Sequence, residues 1–162
     1  MNEQSKDLSA SVAASMMRGF DQTMGVRLIS ASRDEVILEY QVDERHLQPY
    51  GIVHGGMHCA TIETACSTGA GLDALENGLA VVGVENHTSF VRAVRAGTAI
   101  RVTAKPITRG RRSQLWEATA RDDQGRIVAT GRVRLLCLQP GTDLAGQPVR
   151  APGGTLSNPE GR

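Results

Sequence analysis

Between Val36 and Val42 apolar and polar positions alternate: Val36, Leu38, Tyr40 and Val42 fall on one side, and Ile37, Glu39 and Gln41 on the other. A period of two is the signature of a strand with one face turned to a core. Val26 to Ser30 reads as an extended stretch before it, and the Arg33-Asp34 pair between the two predicts a hairpin. Four further stretches, 79–94, 98–110, 112–122 and 126–138, alternate or run apolar. Turn signals at Ala96-Gly97, Gly110 and Asp123-Gln124-Gly125 separate them, which predicts four consecutive antiparallel strands.

Two segments have helical texture instead. Leu8, Val12, Met16 and Phe20 share one stripe with Ser9 as a cap, predicting a short helix over 8–20. From about Gly56 to Asn77 the chain is rich in Ala, Cys, Ser, Thr and Gly and almost free of bulky side chains. Small residues nearly all round predict a helix closely enclosed by other structure. The order helix, two strands, long helix, four strands defines an α+β domain whose curved antiparallel sheet wraps that helix. The expected layout is a helical head over 1–22, the domain over 23–138 and an unstructured tail over 139–162, where Gly, Pro, Ser and Thr replace apolar residues.

Composition narrows the functional classes. A length of 162 residues fits one domain, and a net charge of +1 with 22% charged residues argues against a nucleic-acid partner. The polar N-terminus has no uninterrupted apolar stretch and nothing approaches a membrane-spanning run, so a cytoplasmic location and no membrane partner are expected. Cys59, Cys66 and Cys137 form no CxxC pair. Seven residues along one helix separate the first two by roughly 10 Å, too far for a disulfide. They are expected to be reduced packing residues.

The chemistry concentrates in GIVHGGMHCATIETACSTGAG, Gly51 to Gly71. If the long helix starts at His54-Gly55-Gly56, its first N–H groups lack internal partners, carry the positive end of the dipole and lie open to another molecule. A carbonyl oxygen placed there would be polarised. A glycine-rich turn with no further role is the competing reading. Glu63 stands among small residues on the same helix, where facing the sheet would partly desolvate it and make it a candidate base or nucleophile. A solvated glutamate on an exposed stripe is the alternative. Ser67, one turn on, shares its face and can orient it.

Eight residues separate Gly55 from Glu63, about 12 Å along a helix, so the two cannot reach one carbonyl within a single chain. Cooperation between them requires two chains and gives two composite sites in a symmetric dimer. His54 and His58 have an i,i+4 spacing that suits metals, but HGGMH lacks the glutamate beside the first histidine that zinc hydrolases use. No metal is expected; His54 is assigned a positional role and His58 an interface or core role. Arg92, Arg95, Arg101, Arg109, Arg111 and Arg112 form a local basic set, and RGRR at a turn can grip phosphates. Charges that keep strand ends solvated would look the same.

Taken together, QPYGIVHGGMHCATIE, VVGVENHTSFVRAV and RGRRSQLW, in that order, resemble the hotdog-fold acyl-CoA thioesterases, and among them the 4-hydroxybenzoyl-CoA thioesterase branch with a helix glutamate. The resemblance covers residues 28–138. It implies that Gly55 donates its N–H to the thioester oxygen, that Gln48 helps place the thioester and that His54 supports the loop. It further implies that Glu63 of a partner chain attacks the thioester or activates water, with Ser67 beside it. Arg92 matches a position implicated in gripping the CoA phosphates, and Arg111 and Arg112 are helpers by charge. The implied activity is hydrolysis of an aromatic acyl-CoA, such as a hydroxybenzoyl-CoA, by a homo-oligomer, a dimer or dimer of dimers. CoA enters as substrate, and no separate cofactor is expected. The rival readings are a non-catalytic acyl-CoA-binding module and a hotdog hydratase or dehydratase.

Overall fold

A computed structural model describes residues 18–149. The helix expected over 8–20 lies almost wholly outside them; the first described helix, α1, is the single turn Phe20–Thr23. Strands β1 (Arg27–Ala31) and β2 (Val36–Gln41) form the expected hairpin, closed by the Ser32 N–H donating to the Glu35 carbonyl at 2.8 Å. The alternation in β2 decides its orientation: Val36, Leu38 and Tyr40 are buried, and Val42 continues the row just past its end.

After a 3₁₀ turn at Glu44–His46 and an irregular loop comes the long helix α2 (Gly55–Leu75). Strands β3 (Ala80–Phe90), β4 (Ala99–Arg109), β5 (Ser113–Arg121) and β6 (Ile127–Leu138) follow. All six strands form one antiparallel sheet in the order β1-β2-β4-β5-β6-β3. The expected run of four consecutively paired strands is therefore corrected at one point. β3 pairs with β6 at the far edge, and the segment after it crosses back to β2, where the Gly97 N–H donates to the Val42 carbonyl at 2.9 Å. Val94, buried on that crossing, and the Val53 N–H donating to its carbonyl at 2.8 Å hold the segment in place. Apolar anchoring and backbone pairing to the loop thus replace a tight hairpin.

The small residues of α2 are explained by what encloses it. Buried positions occur all round its circumference, from Met57 and His58 through Ala65 and Cys66 to Ala74. A methyl group at Gly69 would lie 2.4 Å from the fully buried Trp116 ring of β5. The indole Nε1–H donates to Gln114 Oε1 at 2.8 Å, and Gln114 Nε2 donates to Asp73 Oδ2 at 3.2 Å and to the Ala70 carbonyl at 3.3 Å. Asp73 is paired with Arg33 at 3.1 Å and Arg109 at 3.5 Å. This polar chain gives the buried Trp116 indole, Gln114 and Asp73 their partners and fixes the C-terminal half of α2 against the sheet.

The tail expected to be unstructured carries, as far as it is described, a small hairpin of β7 (Asp143–Leu144) and β8 (Gln147–Pro148). Ala145 and Gly146 both have positive φ, 54° and 79°, the condition for a two-residue turn that matches strand twist. Its two-residue strands are exposed, so no burial pattern announced them. Among the described residues the three cysteines are free thiols, as expected, and no helix is long and apolar enough to cross a membrane.

Candidate active site

His46 anchors the loop that leads into α2. Its Nδ1 accepts from the Asp43 N–H at 2.9 Å, its Nε2–H donates to the Met24 carbonyl at 2.8 Å, and its own carbonyl accepts from the His54 N–H at 2.8 Å. Between these points Gln48 starts a tight return: its N–H donates to the Ile52 carbonyl and its carbonyl accepts from Gly51, whose φ of 71° needs glycine. Leu47 and Val53 bridge the base of the return.

His54 is the N-cap of α2. Its Nδ1 accepts from the Gly56 N–H at 2.9 Å, which satisfies one of the orphan donors of the first turn. The Met57 N–H donates to the His54 carbonyl at 2.9 Å. For the Gly55 N–H there is no acceptor among the described residues. Glycine at 55 also answers a packing demand, because a methyl group there would lie 2.6 Å from the Phe90 ring. Gln48, His54, Gly55 and Arg92 line one cleft of about 440 Å³, with Val53, Phe90 and His58 among its walls. A donor at a helix N-terminus, facing a cleft with one cation at its rim, can polarise a carbonyl and receive an anionic ligand.

Glu63 and Ser67 do not line this cleft. Ser67 Oγ donates to Glu63 Oε1 at 2.5 Å, and both residues are half-buried. The carboxylate lies beside Gly83 of β3, where a methyl group would stand 2.9 Å from Glu63 Oε1. Gly83 therefore keeps room for the carboxylate, a requirement that its place in an apolar strand pattern did not reveal. Cys66, although adjacent, is sealed, and burial pushes its thiol pKa up, so it is a packing residue rather than a nucleophile. Arg111 and Arg112 are exposed at the β4–β5 turn and line a different cleft, of about 490 Å³. One chain thus holds three separate groups: the Gly55 cleft with Arg92, the Glu63–Ser67 pair, and the basic turn.

Sequence reasoning gave too little weight to His58 and Phe90. His58 is 3% exposed and lines the cleft, with its ring tilted against Phe90 at a centroid separation of 6.1 Å. Its spacing of three from Gly55, which puts both on one helix face, was the available signal.

A curved six-stranded antiparallel sheet wrapped round one long helix defines the hotdog class of fold. Residues 50–129 match the thioesterase superfamily. Relatives include Rv1847 of Mycobacterium tuberculosis, 42% identical over 122 residues, covering 74% of this chain and 86% of that one. Its solved structure aligns with a TM-score of 0.72, covering 74% of this chain and 96% of that chain. The proofreading thioesterase EntH of Cronobacter turicensis is 37% identical, covering 68% of this chain and 79% of its own. The 1,4-dihydroxy-2-naphthoyl-CoA hydrolase of Listeria monocytogenes is 28% identical, over 70% and 91%. The chain belongs to the thioesterase superfamily, with the hotdog fold, and is a thioester hydrolase.

Proposed function

We propose that the substrate is an acyl-CoA with an aromatic acyl group and that each active site is shared between two copies of the chain. The observation that carries this reading is the separation, on one helix, of a free donor at Gly55 from a hydrogen-bonded carboxylate at Glu63. About 12 Å lies between the two positions along the axis, so one carbonyl can meet both only if they come from different chains. β3 is the edge strand beside Glu63, eleven residues long and largely exposed from Gly83 onward. An exposed edge of that length is a template for pairing with a second copy. Two-fold pairing there would turn each Glu63 toward the other chain's Gly55 cleft.

In this reading the Gly55 N–H polarises the thioester carbonyl, Gln48 holds the thioester in place and His54 keeps the helix start rigid. Glu63 of the partner subunit, oriented by Ser67, attacks the acyl carbon or draws a proton from the water that does. In the direct route a Glu63 oxygen bonds to the acyl carbon as the C–S bond breaks, and water then hydrolyses the resulting anhydride and supplies the thiolate's proton; in the water route the water oxygen bonds to carbon and the C–S bond breaks. The proton taken by Glu63 passes to the leaving thiolate, giving free acid and CoA thiol. Arg92 meets the CoA phosphates, with Arg111 and Arg112 assisting from a neighbouring chain in a dimer of dimers. The aromatic acyl group is supported by the Listeria relative, whose name states a naphthoyl-CoA substrate, and by the apolar wall of Ile52, Val53, Phe90 and Val91. CoA is consumed as part of the substrate, and the reaction needs no metal or other cofactor.

The test is release of CoA thiol from benzoyl-, hydroxybenzoyl-, phenylacetyl- and straight-chain acyl-CoA. Aromatic esters are expected to turn over fastest, and Glu63→Gln to lower kcat by about 10³-fold with the fold intact. Full turnover by that variant would remove Glu63 from the chemistry. A flat profile across the panel would remove the aromatic preference.

A further inference from the structure

The proposed site gives the thioester oxygen one backbone donor. In the tetrahedral intermediate that oxygen becomes an anion, and sites that stabilise it aim preorganised donors at the same atom. His54 Nδ1 is engaged with the Gly56 N–H and its side chain is exposed, so a donor held away from water has to come from another residue. His58 meets the requirement from inside the cleft. It lies three residues after Gly55, on the same face of α2, and helical side chains lean toward the N-terminus, so its ring is directed back toward the Gly55 N–H.

Three observations single out this ring. It is 3% exposed yet lines the cleft beside Gly55 and Phe90. Among the described residues its Nδ1 is sealed from solvent without a hydrogen-bond partner. Burial lowers its pKa, and the positive end of the helix dipole disfavours a second proton as well, so the imidazole is neutral and carries a single N–H. A sealed N–H with no acceptor is a rarer arrangement than a sealed, unused lone pair. The proton therefore belongs on Nε2, the nitrogen that is not sealed, at the ring edge left to face the cleft, and among the described residues no group accepts from it.

We propose that His58 Nε2–H is a second oxyanion donor, which binds the thioester carbonyl oxygen beside the Gly55 N–H and strengthens as negative charge develops there. This rests on the proposed hydrolysis, and it makes His58 a catalytic residue that works as a neutral electrophile and transfers no proton.

The experiment compares the wild-type chain with His58→Leu, His58→Met, His58→Gln and Glu63→Gln, using the most rapidly hydrolysed acyl-CoA of the panel. Folding is followed by thermal melting and ground-state affinity by CoA binding. His58→Leu is expected to lower kcat by about 10²-fold, with KM and CoA affinity within about threefold of wild type. His58→Gln, whose amide N–H can donate, is expected to regain at least about tenfold over His58→Leu. Should the Leu variant fail to fold, the Met variant is held to the same numbers. A kcat within about threefold of wild type in the apolar variants overturns the proposal, as does a Gln variant no better than Leu. Retained activity in Glu63→Gln overturns the carboxylate's role alone and leaves His58 to be judged by its own variants. A wild-type chain that hydrolyses none of the esters overturns both.

Discussion

In the proposed mechanism a single hydrogen bond from Ser67 prepares the Glu63 carboxylate. A hydroxyl donating at 2.5 Å fixes one carboxylate oxygen and leaves the other free to act. Such bonds to charged groups contribute about 1.5–3 kcal/mol. Ser67→Ala is therefore expected to lower kcat by about tenfold, read by steady-state kinetics with KM little changed. An unaltered kcat would reduce Ser67 to a packing residue. A second residue-scale prediction concerns Asp43, which caps the 3₁₀ turn before the cleft loop. The Arg45 side chain grips it with Nε at 2.9 Å and Nη2 at 2.7 Å, and that hydrogen bonding pulls the Asp43 pKa down to about 2. A folded value below the ordinary one, near 4, means that the contribution is complete above about pH 4 and is lost as pH falls toward 2. Thermal melts across that window should fall more steeply for the wild type than for Asp43→Asn. Parallel slopes would show that the cap does not couple to stability.

At the scale of the element, α2 is a helix built to be surrounded. Its glycines mark approaches by specific neighbours: Phe90 at Gly55 and Trp116 at Gly69. Gly69→Ala should therefore destabilise by about 1–3 kcal/mol through overpacking, although alanine is the better helix former. A denaturant melt measures this, and stabilisation would mean that the indole yields without cost. Gly55→Ala tests the other approach. Its methyl group must displace the Phe90 ring, and kcat/KM should fall by about tenfold or more as the cleft deforms. The double variant Gly55→Ala with Phe90→Ala separates steric displacement from loss of the backbone donor, since alanine keeps its N–H. Recovery in the double variant assigns the defect to the ring.

At the scale of the whole molecule, the shared-site reading predicts complementation. A chain disabled at its cleft by Gly55→Trp and a chain disabled by Glu63→Gln should each be inactive. Mixed and reassembled in equal amounts, half of the dimers would be mixed, each with one intact composite site, giving about a quarter of wild-type activity. No recovery, with mixed dimers verified by mass, would place each site within one chain.

Several features were legible in the chain because local physics wrote them there. Period-two alternation set the strands and their buried faces, as in Val36, Leu38 and Tyr40. The run of small residues marked an enclosed helix, and His54-Gly55-Gly56 marked where that helix begins. What the tertiary structure decided depends on residues distant in sequence. Strand pairing placed β3 at the edge beside β6 rather than next to β4, because the crossing segment found Val53 and Val42 as backbone partners. The same folding left the His58 Nδ1 sealed and unpartnered among the described residues, brought Phe90 over Gly55 and kept Arg111 and Arg112 away from the cleft that holds Arg92. A sequence fixes periodicity and spacing through the geometry of its own backbone; which side chain is left without a partner is known only once every neighbour has been counted.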